Sequence, residues 1–413
     1  MHAEKLPPQT FRRVRPPYRA VRQRPVKVRR RVKTKNIKAI LLQLKYKNIF
    51  ILVAVLMTLS WIITLPFRGR PASDIPLATP ESSVSPTLIP PYVPPAPEPT
   101  PEDLGFAYNV RRQPYKRNNS QLQEIVDELV NIAEEKGLPT APLSISLIDV
   151  SNPEVHTFAG YKSQVLRYPA SVSKLFWMAA FYGAVEEGLI DDEPRFHQDL
   201  ILMMQKSHND SASRLLDVIT DTKSGVKLEG KKLNTWLEKR KSVNDFFQKA
   251  DYQGLIVSTK NYPRYSPSQK GPVGRDRQLR QKDGKFLRNL ISTDHATRLI
   301  YEIYTRQAVS PKYSRRMAYL LTRDLRPEVW QNDPYNGVES FLGESLPTNI
   351  YFGSKVGLTS EDRMDVAFVR TLDDKAIYIL AIFAEDTAYV DDKEIFPKLS
   401  RHVYDRMIAL GNK

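Results

Sequence analysis

Nineteen consecutive residues without a charge, Ile49 to Phe67 (IFILVAVLMTLSWIITLPF), constrain this chain more than any other feature. At about 1.5 Å per residue, a helix of that length spans about 28 Å, close to the ~30 Å hydrocarbon core of a bilayer. Neither flanking segment has the pattern of a folded partner that would bury it. The segment therefore predicts a transmembrane helix over 49–67, with Trp61 near its outer end as an interfacial aromatic. A cleavable signal sequence is the competing expectation. Against it, the preceding region is far longer than usual, and no A-x-A-like site follows Pro66.

The charge distribution orients this segment. The formal net charge is +16, but residues 1–48 alone hold 16 Lys and Arg against a single acid, Glu4. The remaining residues hold 46 Lys and Arg and 45 Asp and Glu, so the body of the protein is nearly neutral. Positive charge is concentrated before the apolar segment, with only Arg68 and Arg70 just after it. That asymmetry predicts a cytoplasmic N-terminus and a single-pass protein of the plasma (inner) membrane, its larger part periplasmic or otherwise extracytoplasmic. The tail's arginines alternate with prolines and valines without helical periodicity. A disordered arm beside anionic lipid headgroups is expected, and no nucleic-acid partner.

Cysteine is absent, which excludes disulfides, a cysteine nucleophile and thiolate metal sites. The six histidines form no metal-binding pair, so no metal or other cofactor is expected. Pro71 to Pro101 contains 11 prolines, and 68–104 reads as an extended linker. At about 3.1 Å per residue in polyproline II, such a linker reaches up to roughly 90 Å from the membrane. Four parts follow: a basic tail 1–48, a membrane helix 49–67, a linker 68–104 and a folded domain 105–413.

Within the domain, Leu122, Ile125, Val126, Leu129, Val130 and Ile132 recur at helical spacing between an Asn119 or Ser120 cap and Gly137. Leu143–Val150 alternates as a strand, with Val155–Phe158 as its hairpin partner. Helices are predicted from about 171 to 188 and over 198–205, 210–219, 242–250, 294–306, 311–323 and 395–410. Strands are predicted at 349–354, 365–371 and 376–384, antiparallel to the first pair. This is an α+β fold, an antiparallel sheet flanked by helices with an inserted all-helical lobe. The basic stretch 252–287 reads as a long surface loop.

Three polar elements carry the chemistry. Ser171 stands at a helix entry, and Lys174 follows three residues later on the same face. A serine becomes a nucleophile beside a base, and a lysine serves when its pKa is lowered. Alone, the pair equally fits an ordinary capped helix start. Ser207–His208–Asn209 lies between two helices; it fits a turn as well as a polar loop facing a cleft. Lys355–Val356–Gly357 ends a strand.

In this order S-x-x-K, S-x-N and K-x-G are the three motifs of serine penicillin-recognising enzymes. Residues 120–410 resemble the class A β-lactamase and penicillin-binding-protein family. The stretches YPASVSKLFWMAAFYGAVEEGLI, DLILMMQKSHNDSASRLLD and ISTDHATRLIYEIYTRQAVSPKYSRRMAYLL carry the likeness. The resemblance implies that Ser171 is the acylated nucleophile and that Lys174 activates it or relays its proton. It implies that Ser207 relays protons to the leaving group and that Asn209 binds a substrate amide. It assigns Lys355 to the substrate carboxylate, with Gly357, Leu358, Thr359 and Arg363 at the substrate. The amides of Ser171 and Leu358 would form the oxyanion hole.

Three departures stand out. Val356 replaces the usual Thr or Ser, whose hydroxyl contacts the substrate carboxylate; Thr359 or Ser360 offers a substitute. The Ser171-to-Ser207 spacing is shorter than usual. Residues 251–292 contain no glutamate to activate a deacylating water, only Asp251, Asp276 and Asp283. A serine acyl-hydrolase acting on peptidoglycan-like peptides or β-lactams with slow deacylation is expected, a D,D-peptidase or esterase being included. The alternative is a degenerate binding scaffold of the same fold.

Overall fold

The computed structural model describes residues 106–412 except Tyr115, Pro153, Asp192, Ser266, Pro267, Asp283 and Gly284. The basic tail, the apolar segment 49–67 and the linker 68–104 lie outside the described residues. Among the described residues no helix is long and apolar enough to cross a membrane.

The chain opens with a short strand β1 (Arg117–Asn118) and helix α1 (Ser120–Glu135). The Asn119 side chain caps α1 by accepting from Leu122 N at 3.0 Å. Strands β2 (Leu143–Asp149) and β3 (Thr157–Tyr161) follow, then a single 3-10 turn (Ala170–Val172) leading into α2 (Ser173–Glu186). The helical lobe continues with α3 (Glu193–Gln205), α4 (Asn209–Ile219) and α5 (Gly230–Gln248). Later come two small hairpins, β4 (Arg264–Tyr265) with β5 (Ser268–Gln269) and β6 (Gln281–Lys282) with β7 (Lys285–Phe286), flanking α6 (Gly274–Arg280). Helices α7 (Thr293–Tyr304), α8 (Pro311–Leu321) and α9 (Pro327–Trp330) lead to β8 (Ile350–Leu358), β9 (Arg363–Thr371) and β10 (Ile377–Ala384). A short α10 (Thr387–Asp391) and α11 (Ile395–Gly411) close the domain.

The main sheet has the order β1-β3-β2-β10-β9-β8. All pairs are antiparallel except β1 with β3, so the sheet is mixed. Alternation along each strand separates two cores. On β10, Ile379, Ala381 and Phe383 face the helical lobe. Tyr378, Leu380 and Ile382 face α1 and α11 on the other side. The sheet thus holds one helical layer on one face and the lobe that carries Ser171 on the other.

Helix α2 is the axis of that lobe. Every residue from Ser173 to Ala184 is buried. A helix apolar all round has no solvent face and must be surrounded by protein. Trp177 is fully enclosed, and its indole N–H donates to Val257 O at 2.6 Å. Phe246 of α5 packs so tightly on α2 that a Cβ on Gly183 would stand 2.7 Å from its ring.

Two expectations need correction. The helix expected at 242–250 is the second half of α5; its polar first half, GKKLNTW, concealed the start. The stretch 252–287 is not simply a surface loop. Tyr252, Leu255, Val257, Thr259, Lys260, Asn261 and Arg280 are all buried, and α6 interrupts it.

Candidate active site

Ser171 sits in a turn held under strain. Val172 N donates to Pro169 O at 2.9 Å, and Ala170 takes φ 45°, the left-handed region that a residue with a Cβ enters at a cost. Surrounding bonds enforce this conformation. Ser173 Oγ donates to Ala170 O at 2.8 Å, and Asn261 Nδ2 donates to the same oxygen at 3.1 Å.

One turn along α2, Lys174 is fully buried. Its Nζ lies 2.8 Å from Ser171 Oγ, 2.5 Å from Ser207 O and 2.7 Å from Asn209 Oδ1. The last two are carbonyl acceptors and require N–H donors. A neutral amine has two N–H bonds for them and a lone pair left for the Ser171 hydroxyl; an ammonium would present only donors. Burial favours the neutral form and brings Lys174 down to about 7.

Ser207 occupies the bend between α3 and α4, also at positive φ, 51°. Its Oγ accepts from Lys355 Nζ of β8. Lys355 is held well below the ordinary lysine value by burial, then by the positive charges of Lys174 and Arg323, against the opposing pull of Asp365. Arg323 explains how Ser207 and Lys355 meet. Its Nη1 donates to Gln205 O at 2.8 Å, and its Nη2 donates to Met204 O at 2.8 Å and to Ser354 O at 3.4 Å. One buried guanidinium therefore ties the end of α3 to β8. Asn209 Nδ2 donates to Pro263 O at 2.8 Å, so its amide is anchored at both ends.

Ser171, Ser207 and Asn209 border a cavity of about 650 Å³ that Leu358 and Thr359 also line. Among the described residues no Asp or Glu lines it. Asp251 is exposed, Asp276 is buried 4.0 Å from Arg240, and Asp283 lies outside the described residues. No group of three or more His, Asp or Glu among the described residues is arranged to hold a metal.

Three residues expected at the substrate make contacts within the protein. Arg363 pairs with Leu358 across β8 and β9 but does not line the cavity. Its guanidinium donates to Ser340 O and to Val390 O, and it packs over the ring of Phe341. Thr359 Oγ1 donates to Asp362 Oδ2 at 2.6 Å and accepts from the Glu361 and Asp362 amides, so its hydroxyl serves the turn. Gly357 is needed for the protein's own packing. A Cβ there would stand 2.7 Å from Pro169 O and 3.0 Å from Ser171 N.

Asn261, Arg323 and Tyr262 were not singled out from the sequence. Asn261 and Tyr262 lie in the stretch whose sequence reads as a surface loop, and Arg323 follows α8 with no motif to mark it. Of the motif residues, the structure brings Ser171, Lys174, Ser207, Asn209 and Lys355 into one hydrogen-bonded group.

A family model described as the β-lactamase enzyme family matches residues 121–407. The chain belongs to that family, whose serine β-lactamase and penicillin-binding-protein-like members are serine hydrolases. No curated protein matches the chain. Among solved structures, a β-lactamase from Sphaerobacter thermophilus is 18% identical, covering 69% of this chain and 96% of its own, with a TM-score of 0.45. A class A β-lactamase from Bacteroides cellulosilyticus is 14% identical, covering 70% and 99%, with a TM-score of 0.48. PBP-A is 15% identical, covering 73% and 100%, with a TM-score of 0.47.

Proposed function

We propose that this chain is a membrane-anchored, extracytoplasmic serine acyl-hydrolase that works through an acyl-enzyme on Ser171. The observation that carries the reading is the position of Lys174, 2.8 Å from Ser171 Oγ with its other bonds directed at two carbonyl oxygens. In the reaction, Ser171 Oγ attacks the acyl carbonyl and its proton passes to Lys174 Nζ. The amides of Ser171 and Leu358 hold the oxyanion. Ser207 delivers a proton to the leaving group, and Lys355, already bonded to Ser207 Oγ, polarises it. The bond from the carbonyl carbon to the leaving group then breaks. Water releases the acyl group slowly, because no carboxylate among the described residues borders the cavity to activate it.

Acyl donors of the peptidoglycan-peptide or β-lactam kind are the class that family membership supports. Anchoring is supported by the uncharged run 49–67 and by the basic tail before it, which suits anionic headgroups. Exposing the full-length protein to a penicillin and sequencing the adduct by mass spectrometry tests the assignment. An acyl group on Ser171 is the expected result; modification elsewhere, or of no residue with any acylating probe, contradicts it.

A further inference from the structure

We infer, on the Ser171 acyl-enzyme reading above, that the preferred acyl donor is neutral beside its scissile bond and carries an aromatic or apolar group there instead of a carboxylate.

The argument starts from what can meet a negative charge in the cavity. Lys206 is the only Lys or Arg among the described residues that lines it, and Lys206 is already ion-paired with Asp333. Arg363, the arginine next to the third motif, points elsewhere: Ser340 O and Val390 O take its two terminal nitrogens. Phe341 lines the cavity, with that guanidinium 5.5 Å from its ring centroid. Lys174 and Lys355 are committed to hydrogen bonds within the protein, and neither lines the cavity.

The strand that borders the scissile bond reinforces this. Val356 lines the cavity and supplies no hydrogen-bond donor from its side chain. Its cross-strand partner on β9 is Asp365, and cross-strand partners share a face of the sheet. Asp365 is fully buried, with Oδ2 accepting from Leu342 N at 3.0 Å. A donor carboxylate laid over Val356 would thus face an apolar side chain backed by another carboxyl group. An unpaired charge in such a place loses its hydration and gains no partner.

The rest of the wall suits rings. Tyr168, Tyr262, Tyr265, Tyr335 and Phe341 all line the cavity. Tyr265 and Tyr335 are 65% and 66% exposed, and the Tyr265 ring lies nearly parallel to that of His208 with centroids 6.4 Å apart, so ring surface remains accessible to a ligand. Aromatic groups pack on such faces by stacking and edge contacts.

The test uses the full-length protein in detergent and two thioesters of benzoylglycine. In one the thiol is thioglycolate with its carboxylate free; in the other that carboxylate is capped as the methyl ester. In both, Ser171 Oγ forms the ester, the C–S bond breaks, and the thiol leaves with the proton; water then hydrolyses the ester. Thiol release gives kcat/KM, with Ser171→Ala as the blank. The capped thioester should be favoured by about 10- to 100-fold over the ratio of the uncatalysed rates, the span set by one lost charged hydrogen bond. Val356→Thr, which restores a hydroxyl, should shrink that preference by raising the rate for the free acid. Equal rates, or preference for the free acid, overturn the inference and leave the acyl-enzyme reading intact. Release of thiol from neither compound beyond the Ser171→Ala blank overturns both.

Discussion

Gly357 lies directly against the turn that carries Ser171: a Cβ at Gly357 would come within 3.0 Å of the Ser171 amide nitrogen and 2.7 Å of Pro169 O. Both contacts are with backbone, which cannot rotate away. The glycine of the third motif is therefore explained by how the sheet edge seats the Ser171 turn. Gly357→Ala should push the turn and β8 apart by a few tenths of an ångström or more. Misplacement on that scale costs up to about 10²-fold in rate. Acylation should fall steeply while the protein stays folded, losing about 1–3 kcal/mol as overpacked sites do. Unchanged acylation would show that the contact is not needed for catalysis.

On the acyl-enzyme proposal, Lys174 should govern the pH dependence. The neutral amine is then the active form, and burial brings its pKa down to about 7. Acylation by a neutral reagent should rise with pH, reach half its maximum near pH 7 and then level off. A midpoint near that of an ordinary lysine would contradict the assignment. Stability carries the same signature. In the unfolded chain this lysine titrates near its usual value of about 10.4. Between about 7 and that value the unfolded state binds a proton that the folded state does not, so stability should increase with pH across that window. Lys174→Met should reduce that slope; Lys355, lowered in the same direction, accounts for part of what remains.

Asn261 braces the turn that carries Ser171, and on the acyl-enzyme proposal it is a positioning residue. Its Nδ2 holds Ala170 O at 3.1 Å and Ser173 Oγ at 3.1 Å. Asn261→Ala should lower the acylation rate about tenfold and cost about 1–2 kcal/mol of stability, the magnitude of lost buried hydrogen bonds. Asn261→Asp replaces the donor Nδ2 with a second acceptor oxygen, so it should not rescue the rate. Rescue by aspartate would contradict the role assigned to Nδ2.

The charge asymmetry around Ile49–Phe67 predicts that protease added outside spheroplasts digests 105–413 and spares the basic tail. Immunoblotting against each end checks this. A protected C-terminal domain would contradict the orientation.

The main helices and five strands were legible because their apolar residues keep period 3.6 or 2 over long runs, as in α1 and β10. The candidate site's hydrogen-bonded group was legible as motifs, since a serine and lysine three apart on a helix share a face wherever the helix goes. What the sequence concealed depends on tertiary contact. Nothing local marks Arg323 as the link between α3 and β8. Nor does anything local show that Arg363 spends its guanidinium on the carbonyls of Ser340 and Val390. The polar half of α5 and the buried stretch around Asn261 lack periodicity, because their burial comes from the neighbours they meet.

The rate at which Ser171 is acylated, with and without Lys174, tests the central claim most directly. Wild-type protein and the Ser171→Ala and Lys174→Ala variants are exposed to a fluorophosphonate and to a β-lactam, and intact masses are followed over time. Wild type should gain one adduct with each reagent, and the β-lactam adduct should persist. Ser171→Ala should gain none, and Lys174→Ala should react about 10²- to 10⁴-fold more slowly, the usual range for general-base help. Equal rates for wild type and Lys174→Ala would contradict the account.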